Sequence, residues 1–119
     1  QDGIQQLLSE TKLREGIVHV YVPHTTAAVT VNENCDDSVQ SDIVNTLNLL
    51  IPHRAHYAHA EGNADAHIKA ALMGSSREVF IENGKLKLGT WQGIFFCEFD
   101  GPRNREVWLK FIRTSDANG

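Results

Sequence analysis

EVFIENGKLKLGTWQGIFFCEFDGPR, residues 78–103 of a 119-residue chain, carries the pattern that decides the fold. Its Asn83-Gly84 step joins two β-rich runs, 78–82 and 85–88. Both residues tolerate positive φ, so the pair is a strong two-residue hairpin signal. A third run, 91–99, sets Phe95, Cys97 and Phe99 against Ile94 and Phe96. Being apolar on both faces, it is expected at the centre of a sheet. A fourth run, 105–112, follows the Gly101-Pro102 turn, with Trp108 and Ile112 on the face opposite Val107, Leu109 and Phe111.

Upstream, Val18, Val20 and Val22 alternate with Ile17, His19 and Tyr21, the period of a strand over 17–22. Pro23 interrupts it, and a second strand over 25–31 follows a kink that carries His24. Ile4, Leu7, Leu8 and Leu13 predict a helix over about 2–15, stopped by Gly16. Asn34, Asp36 and Asp37 open a second helix with Val39, Ile43, Leu47 and Leu50 on one stripe, ended by Pro52. The polar stretch 53–62 contains His53, His56 and His59 and has no period, so it reads as a functional loop. Asn63 is placed to cap a third helix running to Met73 and closed by Gly74. This order predicts an α+β fold, an antiparallel β-sandwich with two or three flanking helices, as a single domain over 1–119.

Composition narrows the function. With 41% hydrophobic and 22% charged residues the chain is neither disordered nor fibrous. A formal charge of −4 with scattered basic residues argues against nucleic acid as the main partner. No apolar run approaches the roughly 20 residues that span a bilayer, and no basic-then-apolar leader opens the chain, so a cytoplasmic protein without a membrane partner is expected. Cys35 and Cys97 lack the spacing of a disulfide framework or zinc knuckle and read as small apolar thiols.

Three clusters could carry chemistry. In His59-Ala-Glu-Gly-Asn63-Ala-Asp65-Ala-His67, two imidazoles can converge on a metal. The stripe Ala64, His67, Ile68 and Ala71 points His67 inward, where a carbonyl-bonded core histidine is the structural alternative. For Asp65 the alternative is an i,i+4 pair with Lys69 on an exposed face. In Pro23-His24-Thr25-Thr26, His24 could be a third ligand or an acid/base, and the hydroxyls could hold an anion; a polar turn is the plainer reading. In Glu98-Phe99-Asp100-Gly-Pro-Arg103, the two carboxylates are expected to share a strand face, with Arg103 swinging back as a phosphate clamp. That set suits a divalent ion on phosphate oxygens, or only a stapled turn. Trp91 and Gln92, just ahead, could hold a flat heterocycle or pack in the core. Together His24, His59 and His67 are expected to bind a divalent metal, Zn²⁺ most plausibly, although Mg²⁺ suits the phosphate-facing carboxylates.

The runs HTTAAVTVNEN, HAEGNADAHIKAALMG and GKLKLGTWQGIFFCEFDGPRNREV, in this order, resemble the YjbQ family of secondary thiamine-phosphate synthases from Gly16 to Ile112. The resemblance implies a homotrimer of α+β subunits with polar clefts near the subunit contacts. It also implies an activity that joins a hydroxymethylpyrimidine diphosphate to a hydroxyethylthiazole phosphate, both small phosphorylated heterocycles. His24, His59, His67 and Arg103 stand where the family's motifs have them, as do Asn63, Asp65, Trp91, Gln92, Glu98 and Asp100; for this activity Glu98, Asp100 and Arg103 are the expected catalytic set. Thr25, Thr26, Asn63, Asp65, Trp91 and Gln92 are expected on substrate. The family has one or two strands ahead of its first helix, and here the chain opens at that helix, so a missing N-terminal strand is expected.

Overall fold

The computed structural model describes residues 1–115. Helices α1 (Asp2–Thr11), α2 (Asp37–Leu50) and α3 (Ala64–Met73) accompany six strands: β1 (Gly16–Tyr21), β2 (Ala27–Glu33), β3 (Ser76–Glu82), β4 (Lys85–Lys87), β5 (Gln92–Glu98) and β6 (Trp108–Arg113). The strands form an antiparallel four-stranded sheet in the order β4-β3-β1-β6 and an antiparallel pair, β2-β5. The expected α+β class, with helices flanking antiparallel sheets, is what the chain adopts.

The period-two reading of β1 holds residue by residue. Val18 and Val20 are buried while His19 and Tyr21 are not. They meet Val79 and Ile81 of β3 and, from β2, Ala27 and Val29, in a core closed by Leu8 and Leu13. Leu86, Ile94, Leu109 and Phe111 pack around it. The Gln5 side-chain amide seals α1 to the β3–β4 turn, donating to the Gly84 carbonyl at 3.1 Å and accepting from the Leu86 N–H at 3.0 Å.

Several boundaries differ from the sequence reading: β2 runs over Ala27–Glu33 rather than 25–31, and the ends of α1 and β6 also move. Helix α1 stops at Thr11 because Lys12 takes the left-handed conformation, φ 60°, and its N–H closes on the Ser9 carbonyl. Gly16 is no helix stop; it lies in β1, where an added Cβ would run into the Ile112 carbonyl oxygen. Residues 105–107 lie outside β6, and the Glu106 N–H donates to the His24 ring instead of to a neighbouring strand.

Strand β5 is not central. Its one strand partner is β2, and its outward apolar residues border a groove of about 220 Å³ that α2 overhangs with Ile43, Val44 and Leu47. Helix α2 starts at the Asp36 cap, whose carboxylate accepts the Ser38 N–H at 2.9 Å, yet none of its residues is buried. It makes no more than isolated contacts with other elements, and Leu49 is 83% exposed. The described residues measure 58 × 28 × 20 Å with a radius of gyration of 16.6 Å, against roughly 13.5 Å for a compact domain of this length.

Candidate functional site

Three segments far apart in sequence, 24–26, 63–67 and 98–106, meet where β2 begins and β5 ends, beside the start of α3. The antiparallel register sets Ala27 opposite Glu98, which brings the His24-Thr25-Thr26 connection against the chain that leaves β5. The Phe99 N–H extends this pairing by donating to the Thr26 carbonyl at 3.2 Å.

Arg105 is the hub, and its role is absent from the sequence reading. Its guanidinium forks onto Glu98, Nε to Oε1 at 2.8 Å and Nη2 to Oε2 at 2.5 Å, and Nη2 also donates to the Thr26 hydroxyl at 2.9 Å. The Arg105 hydrogen bond holds the Glu98 carboxyl below the ordinary glutamate range, against the opposing effect of burial. Arg103 belongs to Asp100 instead. Its Nε donates to the Asp100 carbonyl and its Nη2 to Asp100 Oδ2, both at 2.9 Å. Asp100 also accepts the Asn63 side-chain amide at 2.8 Å, and this bond leads the effects that depress its carboxyl.

The expected shared carboxylate face is thus replaced by two ion pairs. Asp100 lies beyond the end of β5, so strand alternation no longer governs it, and each carboxylate has its own arginine. Arg103 is stapled along one edge while its side chain remains 55% exposed. Asn63 occupies the N-cap position of α3 but does not cap it; its amide goes to Asp100, and its Oδ1 is buried without a partner.

Helix α3 turns differently from the expected stripe. Ala66, Lys69 and Ala70 face in, Ile68 and Ala71 face out, and His67 is half-buried. The Asp65–Lys69 pair exists, at 3.4 Å, but it is buried. Lys69 Nζ also donates to Asn48 Oδ1 of α2 at 2.8 Å, and His53 Nδ1 lies 3.0 Å from Asp65 Oδ1. Burial pushes the Asp65 carboxyl up, but the His53 and Lys69 contacts outweigh it and hold it below the ordinary aspartate range.

His59 and His67 do converge, ring centroids 5.0 Å apart and edge to face. His24 and His67 line a recess of about 360 Å³ with Thr25, Ser75 and the small side chains of Ala27, Ala70 and Ala71. The three imidazoles do not form one ligand set. Among the described residues no three His, Cys, Asp or Glu side chains stand close enough to hold a metal, and His24 Nε2 already accepts the Glu106 N–H at 2.8 Å. A three-nitrogen zinc centre does not fit these positions within one chain.

Trp91 and Gln92 lie at the opposite end of β5, roughly 20 Å from Glu98 at strand rise. Trp91 is 61% exposed, and Gln92 accepts the Gly89 N–H at 2.8 Å, so neither is within reach of a ligand on Arg103 in the same chain. Cys97 is unpaired, and burial pushes its thiol up, which disfavours the thiolate.

The model of the UPF0047 protein YjbQ-like family matches residues 1–114. The chain belongs to this family. It is 57% identical to UPF0047 protein MJ1081 of Methanocaldococcus jannaschii over 105 residues, 88% of this chain and 76% of that one. It is 44% identical to UPF0047 protein YugU of Bacillus subtilis over 110 residues, 92% and 83% of the two chains. The crystal structure of a YjbQ/UPF0047 family protein from Clostridium acetobutylicum superposes with a TM-score of 0.90 at 52% identity, covering 93% of this chain and 86% of that one. A YbjQ-like protein of Sulfolobus solfataricus P2 gives 0.88 at 31% identity, covering 94% and 83%. The family's fold is therefore this chain's fold, and no helix among its described residues is long and apolar enough to cross a membrane.

Proposed function

We propose that this protein is a secondary thiamine-phosphate synthase that works as a homotrimer. It would join hydroxymethylpyrimidine diphosphate to hydroxyethylthiazole phosphate. The thiazole nitrogen bonds to the pyrimidine methylene carbon as that carbon's bond to the diphosphate oxygen breaks, and the electron pair leaves with pyrophosphate. Such a displacement requires held phosphates and a site for a flat ring. The observation that carries the reading is the joining of segments 24–26, 63–67 and 98–106, where Thr25 and His67 line a recess with an alanine floor and a hydrogen-bonded chain runs from Asn63 through Asp100 to Arg103. The open edge of the Arg103 fork suits the leaving diphosphate, because charge-assisted paired bonds favour phosphate oxygens. Asp100 orients that fork, and Asn63 fixes Asp100.

A divalent ion, Zn²⁺ or Mg²⁺, belongs to this proposal as a companion of the diphosphate, with His59 and His67 as the nearest paired nitrogens; every step above is assigned to side chains alone. The trimer is supported by α2 and β5. A 14-residue helix with no buried residue, above an apolar groove, leaves surface that a neighbouring copy would cover.

One observation favours a second reading, a phosphate-ligand-binding protein whose synthase activity is incidental. Glu98, Asp100, Arg103 and Arg105 cancel in charge, so the cluster offers a diphosphate geometry without a strong net field. A steady-state assay with both precursors separates the two. Saturable release of pyrophosphate coupled to thiamine phosphate supports the synthase; binding of either precursor without turnover supports the alternative.

A further inference from the structure

His24 stands in the connection between β1 and β2, and its partner decides its chemistry. The Glu106 backbone N–H donates to its Nε2 at 2.8 Å. A neutral imidazole has one N–H and one ring lone pair, so a ring that accepts at Nε2 carries its hydrogen on Nδ1. Turning the ring over would set a C–H against the amide and satisfy neither group.

The amide is held in place. Glu106 follows Arg105, whose side chain is only 11% exposed and is fixed by Glu98 and by the Thr26 hydroxyl. Thr26 is itself 5% exposed and two residues from His24. Donor and ring are therefore anchored by the same clamp, from the 105–106 side and from the 24–26 side. The lone pair that a metal would need is occupied, while Nδ1 has no protein partner among the described residues, and His24 borders the recess with Thr25 and His67.

We infer that His24 is a fixed Nδ1–H donor to an oxygen of a phosphate or diphosphate in this recess, not a metal ligand, and that Arg105 is the positioning residue that sets its tautomer. The ligand half of this inference rests on the function proposed above; the tautomer half does not.

Long-range ¹H–¹⁵N imidazole correlations on metal-free, ¹⁵N-labelled protein at mildly alkaline pH test it, with the His24 ring identified by its loss in His24→Gln. The expected wild-type pattern is protonated Nδ1 with bare Nε2, giving way to a tautomer mixture in Arg105→Gln. Should that variant fail to fold, Thr26→Val, which removes one contact of the clamp, serves instead. An Nε2–H pattern in wild type overturns the inference and leaves the synthase reading standing, and an unchanged pattern in the folded variant overturns the role of Arg105. Added pyrophosphate is expected to shift the Nδ1 proton, and His24→Gln to weaken pyrophosphate binding about ten- to hundred-fold, the usual worth of a hydrogen bond to a charged group. No shift with the tautomer intact overturns the ligand half and counts against the proposed function. Zinc titration of wild type and His24→Gln is expected to give equal stoichiometry; loss of a zinc equivalent in the variant overturns the inference.

Discussion

Arg103 and Arg105 sit two positions apart and meet different fates, because one lies at an open rim and the other inside a clamp. Arg103→Lys keeps the charge and loses the fork. For a synthase it should lower saturated turnover by one to a few orders of magnitude, roughly 1–4 kcal/mol. For a binding protein it should weaken pyrophosphate affinity and leave residual turnover at saturation unchanged. A turn staple alone would lower the melting temperature and nothing else. Glu98 makes a different prediction. Arg105 depresses its carboxyl on folding, so the pair stabilises the protein above the unfolded carboxyl's pKa and that contribution fades as pH falls towards the folded one. Melting temperatures between about pH 5 and pH 3 should fall more steeply for wild type than for Glu98→Gln; parallel slopes would show that the pair contributes no acid-linked stability. The Arg103 turn was legible in the sequence as a staple or clamp. Arg105 was not, since a residue read as the start of a strand has no reason to bend its side chain onto a glutamate seven positions back.

At the scale of elements, α3 shows where periodicity loses its power. Alanines at 64, 66, 70 and 71 surround the helix and mark no preferred face. The i,i+4 rule places Asp65 and Lys69 in solvent, whereas both are buried and the exposed Asn48 and His53 reach in to partner them. Lys69→Met should cost about 2 kcal/mol in a denaturant titration, because it removes the ammonium partner of a buried carboxylate and leaves it only His53. A loss under about 1 kcal/mol would mean that Asp65 is solvated. Strand β5 failed for a related reason. Two apolar faces reveal that both are covered, not by what, and within one chain the second face meets only the groove under α2. Strands β1, β3 and β4 were readable because one buried face and the Asn83-Gly84 turn leave a single register.

The described residues extend further than a compact domain of this size, and α2 is a helix with no buried residue. A closed homotrimer would bury that helix and the free side of β5 against neighbouring copies, in a cyclic arrangement. Sedimentation equilibrium at micromolar concentration should give three times the chain mass, and the apolar-to-charged change Leu47→Glu should shift it towards monomer; a wild-type monomer contradicts the trimer. Family membership and fold follow from the whole chain, whereas the proposed activity would rest on a few residues of one site. The most direct measurement is therefore steady-state turnover with hydroxymethylpyrimidine diphosphate and hydroxyethylthiazole phosphate, run on wild type and Arg103→Lys. Stoichiometric pyrophosphate and thiamine phosphate from wild type, falling at least tenfold in the variant, is the expected result. No product from wild type at saturating precursors would contradict the synthase, and equal rates in both proteins would contradict the role of Arg103.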